Sequence, residues 1–219
     1  MAASIQSAIA KLKHKDVRQR RRAVRILFDS DAHESVEAFS PYLDDEDIWF
    51  RNKAIEAYRR WAPKHAPHLL EQLARKGQLD GQRCVATVLD SIPNVKQAAT
   101  LARLLLDSND DVVIRKAVDQ LISTQEVTNE ELKEFQSSND HVVRSYATAI
   151  NEQVPELLEC LVDSHPDVRR QAASSLLMMD LESEETRTVQ DAIENDDALW
   201  KLAVPIALEH SRPNLIDLI

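Results

Sequence analysis

Asp163-Ser164-His165-Pro166-Asp167-Val168-Arg169-Arg170-Gln171-Ala172 is the stretch that decides how this chain folds. A polar turn leads into an apolar and basic run that closes on an alanine. The same order returns as Ser138-Asn139-Asp140 before Val143-Arg144-Ser145-Tyr146-Ala147, and as Asn109-Asp110-Asp111 before Val113-Ile114-Arg115-Lys116-Ala117. It returns again as Asp44-Asp45-Glu46-Asp47 before Phe50-Arg51-Asn52-Lys53-Ala54, with weaker copies at Gln19 to Ala23, Gln82 to Ala86 and Leu199 to Ala203. The register alanines are therefore Ala23, Ala54, Ala86, Ala117, Ala147, Ala172 and Ala203, separated by 31, 32, 31, 30, 25 and 31 residues. A sustained period in this range marks stacked repeats.

Each part of the pattern has a physical task. The Asp, Asn and Ser residues of the turn cap a helix by accepting first-turn N–H groups that have no partner within the helix. The alanine lets two helices approach closely. A second amphipathic stretch precedes each turn, as in Val95 to Leu106 and Val154 to Val162. Thr128 with Glu131 has the spacing of a capping box, and Pro67 and Pro155 suit first-turn positions. Every repeat thus reads as a helical hairpin, helix A then helix B. One hairpin cannot bury its apolar face, so neighbours must stack. The expected repeats are about 1–29, 30–62, 63–92, 93–123, 124–152, 153–180 and 181–210, in a single domain over 1–219 with 211–219 as a C-terminal cap.

Composition agrees with an all-α chain. Only two of the 219 residues are glycine, and 5% are aromatic. Sheets and hairpins draw on glycine turns and on aromatic and β-branched strands, whereas Ala, Leu, Glu, Arg and Gln favour helix. No apolar run approaches the roughly 18 residues of a membrane span, and the N-terminus lacks the pattern of a secretory signal. Cys84 and Cys160 have no metal-ligand spacing and read as reduced thiols. The expectation is a cytoplasmic protein, a monomer with no membrane association.

The motif Asp-x-x-Val-Arg-x-x-Ala with a period near 30 resembles the short HEAT-like repeats of the phycobilisome-lyase type. The resemblance covers nearly the whole chain. It implies a right-handed α-solenoid, a superhelix of about seven HEAT-like hairpins whose B helices line the concave face. For function it implies several alternatives, because scaffolds, bilin lyases, deoxyhypusine hydroxylases and, in a related form, alkylpurine DNA glycosylases share it. Some positions depart from the pattern. Gly77 and Gly81 flank the turn of the third repeat, which lacks the aspartate four residues before Arg83. The short fifth spacing suggests a trimmed connection between Ile150 and Val168. Pro205 falls inside the last B helix, where it should kink it.

Two features bear on function. An arginine row, Arg20, Arg51, Arg83, Arg144 and Arg169, stands three residues before register alanines. An aspartate row, Asp16, Asp47, Asp110, Asp140 and Asp196, precedes the arginine-row position by four. The rows suit a ladder tying neighbouring repeats, or a stripe for acidic partners. Charge is also unevenly spread: residues 1–76 carry 15 Lys and Arg against 11 Asp and Glu, near +4, while the rest is near −14, making −10 in all. Lys11, Lys13, Lys15, Arg18, Arg20, Arg21, Arg22 and Arg25 crowd into fifteen residues with only Asp16 among them. Such a run is either a solvated face or an anion-binding surface.

The candidate binding residues are Arg18, Arg20, Arg21, Arg22, Arg25, Trp49, Arg51 and Lys53. Nucleic acid is disfavoured by a pI near 5.2, although Trp49, Arg51 and Asp47 imitate the tryptophan, cation and aspartate set of the alkylpurine DNA glycosylases. The paired histidines of a di-iron hydroxylase are lacking: His-Glu occurs once, at His33-Glu34, and reversed at Glu209-His210. His65 and His68 would share a face if one helix carried both. No catalytic residue, metal site or cofactor is expected. The leading expectation is a non-enzymatic scaffold or adaptor for a protein partner. The alternatives are a bilin-lyase-type enzyme and a glycosylase-like enzyme.

Overall fold

A computed structural model describes residues 2–209 of the chain, and His210 and the expected cap 211–219 lie outside them. Among the described residues every regular element is helical. The order is α1 (Ala2–Leu12), α2 (Val17–Asp29), a 3-10 segment (His33–Asp44), α3 (Ile48–His65), α4 (Pro67–Arg75), α5 (Leu79–Ala86), a short 3-10 turn (Leu89–Ser91), α6 (Val95–Leu105) and α7 (Asp111–Ser123). It continues with α8 (Asn129–Gln136), α9 (His141–Ala149), α10 (Val154–Cys160), α11 (Pro166–Leu177), α12 (Ser183–Glu194) and α13 (Asp197–Glu209). No helix among them is long and apolar enough to cross a membrane.

These elements form seven A–B pairs in the expected order. The chain divides into two compact units, Met1–Thr124 and Gln125–Ile219, a division that falls between the fourth and fifth pairs. In the first unit α4 packs on α6 and α5 on α7; in the second, α10 packs on α12 and α9 on α11, which in turn meets α13. A helices stack on A and B on B, so each unit is a stretch of α-solenoid. All seven register alanines are buried, with Ala23, Ala54, Ala117, Ala147 and Ala172 at 0% exposure. Around Ala172 the second unit packs Leu157, Leu176, Leu177, Val189, Ile193 and Leu199.

The helix starts follow the cap chemistry. Asp16, Asp47, Asp110 and Asp140 each accept the backbone N–H two residues on. Thr128 and Glu131 form a capping box, and Pro67 and Pro155 sit in first turns. Gly77 takes φ +69, open to glycine at no steric cost. A side chain at Gly81 would come within 2.9 Å of Leu73.

Three details differ from the sequence reading. The second A element is a twelve-residue 3-10 segment containing Pro41, whose ring supplies no backbone donor. The short fifth spacing arises in a helix, since α10 has only seven residues. His65 ends α3 while His68 belongs to α4, because Ala66 breaks the chain direction at φ −151. Instead, His65 stacks on His33 with ring centroids 3.9 Å apart. Pro205 does lie within α13.

Candidate anion-binding face

Helix α2 buries Ala23, Val24 and Leu27, which leaves its other sides to arginine. Arg18, Arg22 and Arg25 are spaced by four and three residues and so share one face. All three are exposed, and none makes an ion pair among the described residues. Along the helix they span roughly 10 Å.

The other five candidates are engaged. Arg21 Nη2 donates to Asp47 Oδ2 at 2.8 Å, and its guanidinium lies 5.2 Å from the Trp49 ring. Its partner is not Asp16, the acid within the basic run, but a residue of the next hairpin, 26 positions on. Arg20 Nη1 donates to the carbonyls of His14 and Lys15 at 3.2 and 3.4 Å, and the guanidinium sits 5.0 Å from the Phe50 ring centre. Its Nε is buried without a hydrogen-bond partner. Arg51 Nη1 donates to the carbonyls of Asp45 and Glu46 at 2.5 and 3.0 Å. Lys53 pairs with Glu56 at 2.6 Å and lies 4.9 Å from the Phe28 ring centre.

Trp49, Arg51 and Asp47 therefore do not make an open constellation. Asp47 Oδ1 accepts the Trp49 N–H and Oδ2 accepts Arg21. The Trp49 backbone bond, followed by Arg21, holds this carboxyl below the usual aspartate range. Arg51 turns back into its own turn, and Trp49 is half-buried against the edge of Phe50.

The arginine row is a ladder with a definite geometry. In Arg20, Arg51, Arg144 and Arg169 one edge of the guanidinium holds the carbonyls five and six residues earlier, as with Arg144 on Ser138 and Asn139 and Arg169 on Asp163 and Ser164. Arg83, Arg144 and Arg169 also reach a carboxylate in the turn of the following hairpin. Arg83 donates to Asp110 at 2.7 Å, Arg144 to both oxygens of Asp163 at 2.8 Å, and Arg169 to Asp196 at 2.9 Å. At the first junction Arg21 replaces Arg20 as the donor.

Neither cysteine is built for nucleophilic work. Burial pushes the Cys84 thiol up to about 11, against a smaller opposing effect of Arg59. Burial likewise raises Cys160. Both stay protonated near neutral pH, and the thiol form is a poor nucleophile.

One cluster escaped the sequence reading. His141 and His165 stack with ring centroids 3.5 Å apart, and with Asp167 their ligand atoms lie within 4.8 Å of one another. The hint was their place in the first turns of consecutive B helices. Yet His165 Nδ1 accepts the Asp167 N–H, and Arg170 already pairs with the Asp167 carboxylate. His165 Nδ1 and the Asp167 carboxylate thus already have partners within the fold.

Comparison with known proteins yields no matching family model and no matching curated protein. Among solved structures, the chain is similar to an archaeal HEAT-like repeats protein from Thermococcus onnurineus NA1. That likeness has TM-score 0.47 and 12% identity, covering 100% of this chain and 97% of that one. An engineered protein gives TM-score 0.38 at 19% identity, covering 96% and 98%. A designed armadillo repeat protein in complex with the peptide (KR)4 gives 0.28 at 16%, covering 94% and 98%. All three scores lie below 0.5, and the fold is read from the helix pairs and their buried alanines alone.

Proposed function

We propose that this chain is a HEAT-like scaffold that binds a protein partner, with the exposed arginine face of α2 meeting an acidic surface. The observation that carries the reading is the triad Arg18, Arg22 and Arg25, exposed on one face with no carboxylate partner among the described residues. Three like charges within about one Debye length raise one another's energy, and a complementary surface relieves this. Within the basic run Arg20 and Arg21 are already engaged, which leaves the triad, beside the exposed Lys11, Lys13 and Lys15, for a ligand.

A protein partner suits the site better than nucleic acid. The chain has net charge −10, and its local basic patch lacks an open aromatic platform, since Arg21 covers Trp49. Single-stranded nucleic acid is normally gripped by stacking on such rings.

The test is capture from native lysate on the immobilised chain at low salt, with elution by a salt gradient. The reading predicts retained proteins of acidic pI that leave as salt rises. Retention of neutral or basic proteins, indifferent to salt, contradicts it.

A further inference from the structure

Within the two units, one junction lacks its rung. Four junctions place a carboxylate of the following turn on an arginine of the preceding hairpin: Arg21–Asp47, Arg83–Asp110, Arg144–Asp163 and Arg169–Asp196. Between the second and third hairpins no such carboxylate exists. The residue before α5 is Gln78, in the place that Asp47 holds before α3 and Asp110 before α7. Its side chain neither caps α5 nor reaches Arg51, and donates to Asp44 at 3.3 Å instead. Arg51 uses Nη1 for its turn carbonyls, and its Nε and Nη2 have no hydrogen-bond or ion-pair partner among the described residues.

That junction is also where the first unit opens into a groove of about 1070 Å³, lined by Arg51, Arg59, Ile48, Leu79 and Gly81 among others. Two aliphatic side chains stand exposed on its lips, Ile48 at 62% and Leu79 at 44%. Of the acidic residues around it, Asp44 is held by Lys76 and Glu56 by Lys53. Asp45, which accepts only the neutral Asp47 N–H, keeps its charge with Glu46 and Asp80, so the groove repels a polyanion and a carboxylate is drawn only to the arginine edge.

We propose that this groove binds a peptide segment of a partner protein through one Asp or Glu side chain, which takes the missing rung on Arg51 while flanking aliphatic residues cover Ile48 and Leu79. The protein itself fills the equivalent place four times with an aspartate carboxylate, which is why the ligand is a carboxylate on a chain. This site stands apart from the α2 face and does not depend on it.

The probe is a capped heptapeptide with one central Glu between leucines, compared with its Gln counterpart by fluorescence anisotropy. A charge-assisted bond lost into an otherwise matched groove is expected to cost about tenfold or more in affinity. The Glu peptide should therefore bind the unaltered chain at least about tenfold tighter than the Gln peptide. Arg51→Ala should abolish that preference. Gln78→Asp supplies the rung from within, so it should abolish the preference and raise the melting temperature, which separates loss of the site from loss of the fold. Arg18→Glu with Arg22→Glu and Arg25→Glu should leave the preference unchanged. Equal binding of the two peptides, no binding of either, or a Gln78→Asp chain that keeps the preference overturns the proposal.

Discussion

Ala147 shows what a single residue does here. It is 0% exposed in α9, where that helix packs on α8 and α11. A larger side chain has nowhere to go, and overpacking a close-packed site costs roughly 1–3 kcal/mol. Ala147→Phe should lower the urea midpoint accordingly, and an unchanged midpoint would remove Ala147 from the packed register. The rungs make a second statement at this scale. Arg144 and Asp163 are the most enclosed pair, each side chain 16% exposed. The Arg144 bonds, ahead of the other influences, hold the Asp163 carboxyl below the usual aspartate value. A carboxyl depressed in the fold contributes stability above its unfolded pKa and loses it as pH falls through the folded value. The stability gap between the unaltered chain and Asp163→Asn should therefore be widest near neutral pH and shrink below about pH 4. A gap that stays constant down to strong acid would mean that the pair contributes nothing through its charge.

At the scale of elements, caps decide where the short helices begin. Helix α8 has eight residues and buries only Phe135, so its first turn leans on the box in which Glu131 N–H donates to Thr128 Oγ1 and Thr128 N–H donates to Glu131. Thr128→Ala should cost about 0.5–2 kcal/mol, with Thr128→Ser close to neutral. Hydrogen exchange of the Glu131 and Leu132 amides reports the loss locally, and unchanged protection would contradict the assignment. This cap was legible in the sequence, as were the alanine register and the aspartate starts, because each is a local rule written again every thirty residues. The 3-10 form of His33–Asp44 was not, since an apolar pattern with one proline says little about which helix type tertiary packing selects. Nor was the partner of Arg21, which depends on how Asp47 is carried in by the next hairpin. The empty rung at Gln78 left a sequence trace in the missing aspartate of the third repeat, but only the groove beside Arg51 gives that absence a meaning.

Across the whole molecule, charge is unevenly distributed. The chain is acidic overall, yet its first 76 residues are near +4, and much of that excess is absorbed by rungs and stacked rings. Arg18, Arg22 and Arg25 are among the exposed cations that stay unpaired, and they share one helix face. Charge complementarity of this kind acts chiefly on encounter rate and on choice of partner. The most direct test reverses the three residues to Glu and measures binding of a salt-eluted captured partner to both chains, by surface plasmon resonance, at low salt and at about 1 M, where the Debye length falls to about 3 Å. Helical content by circular dichroism should be unchanged by the reversal. The account predicts a large loss of association rate and affinity at low salt that nearly vanishes at high salt. Equal affinity of the two chains at low salt would contradict it and leave the basic run as a solvated surface.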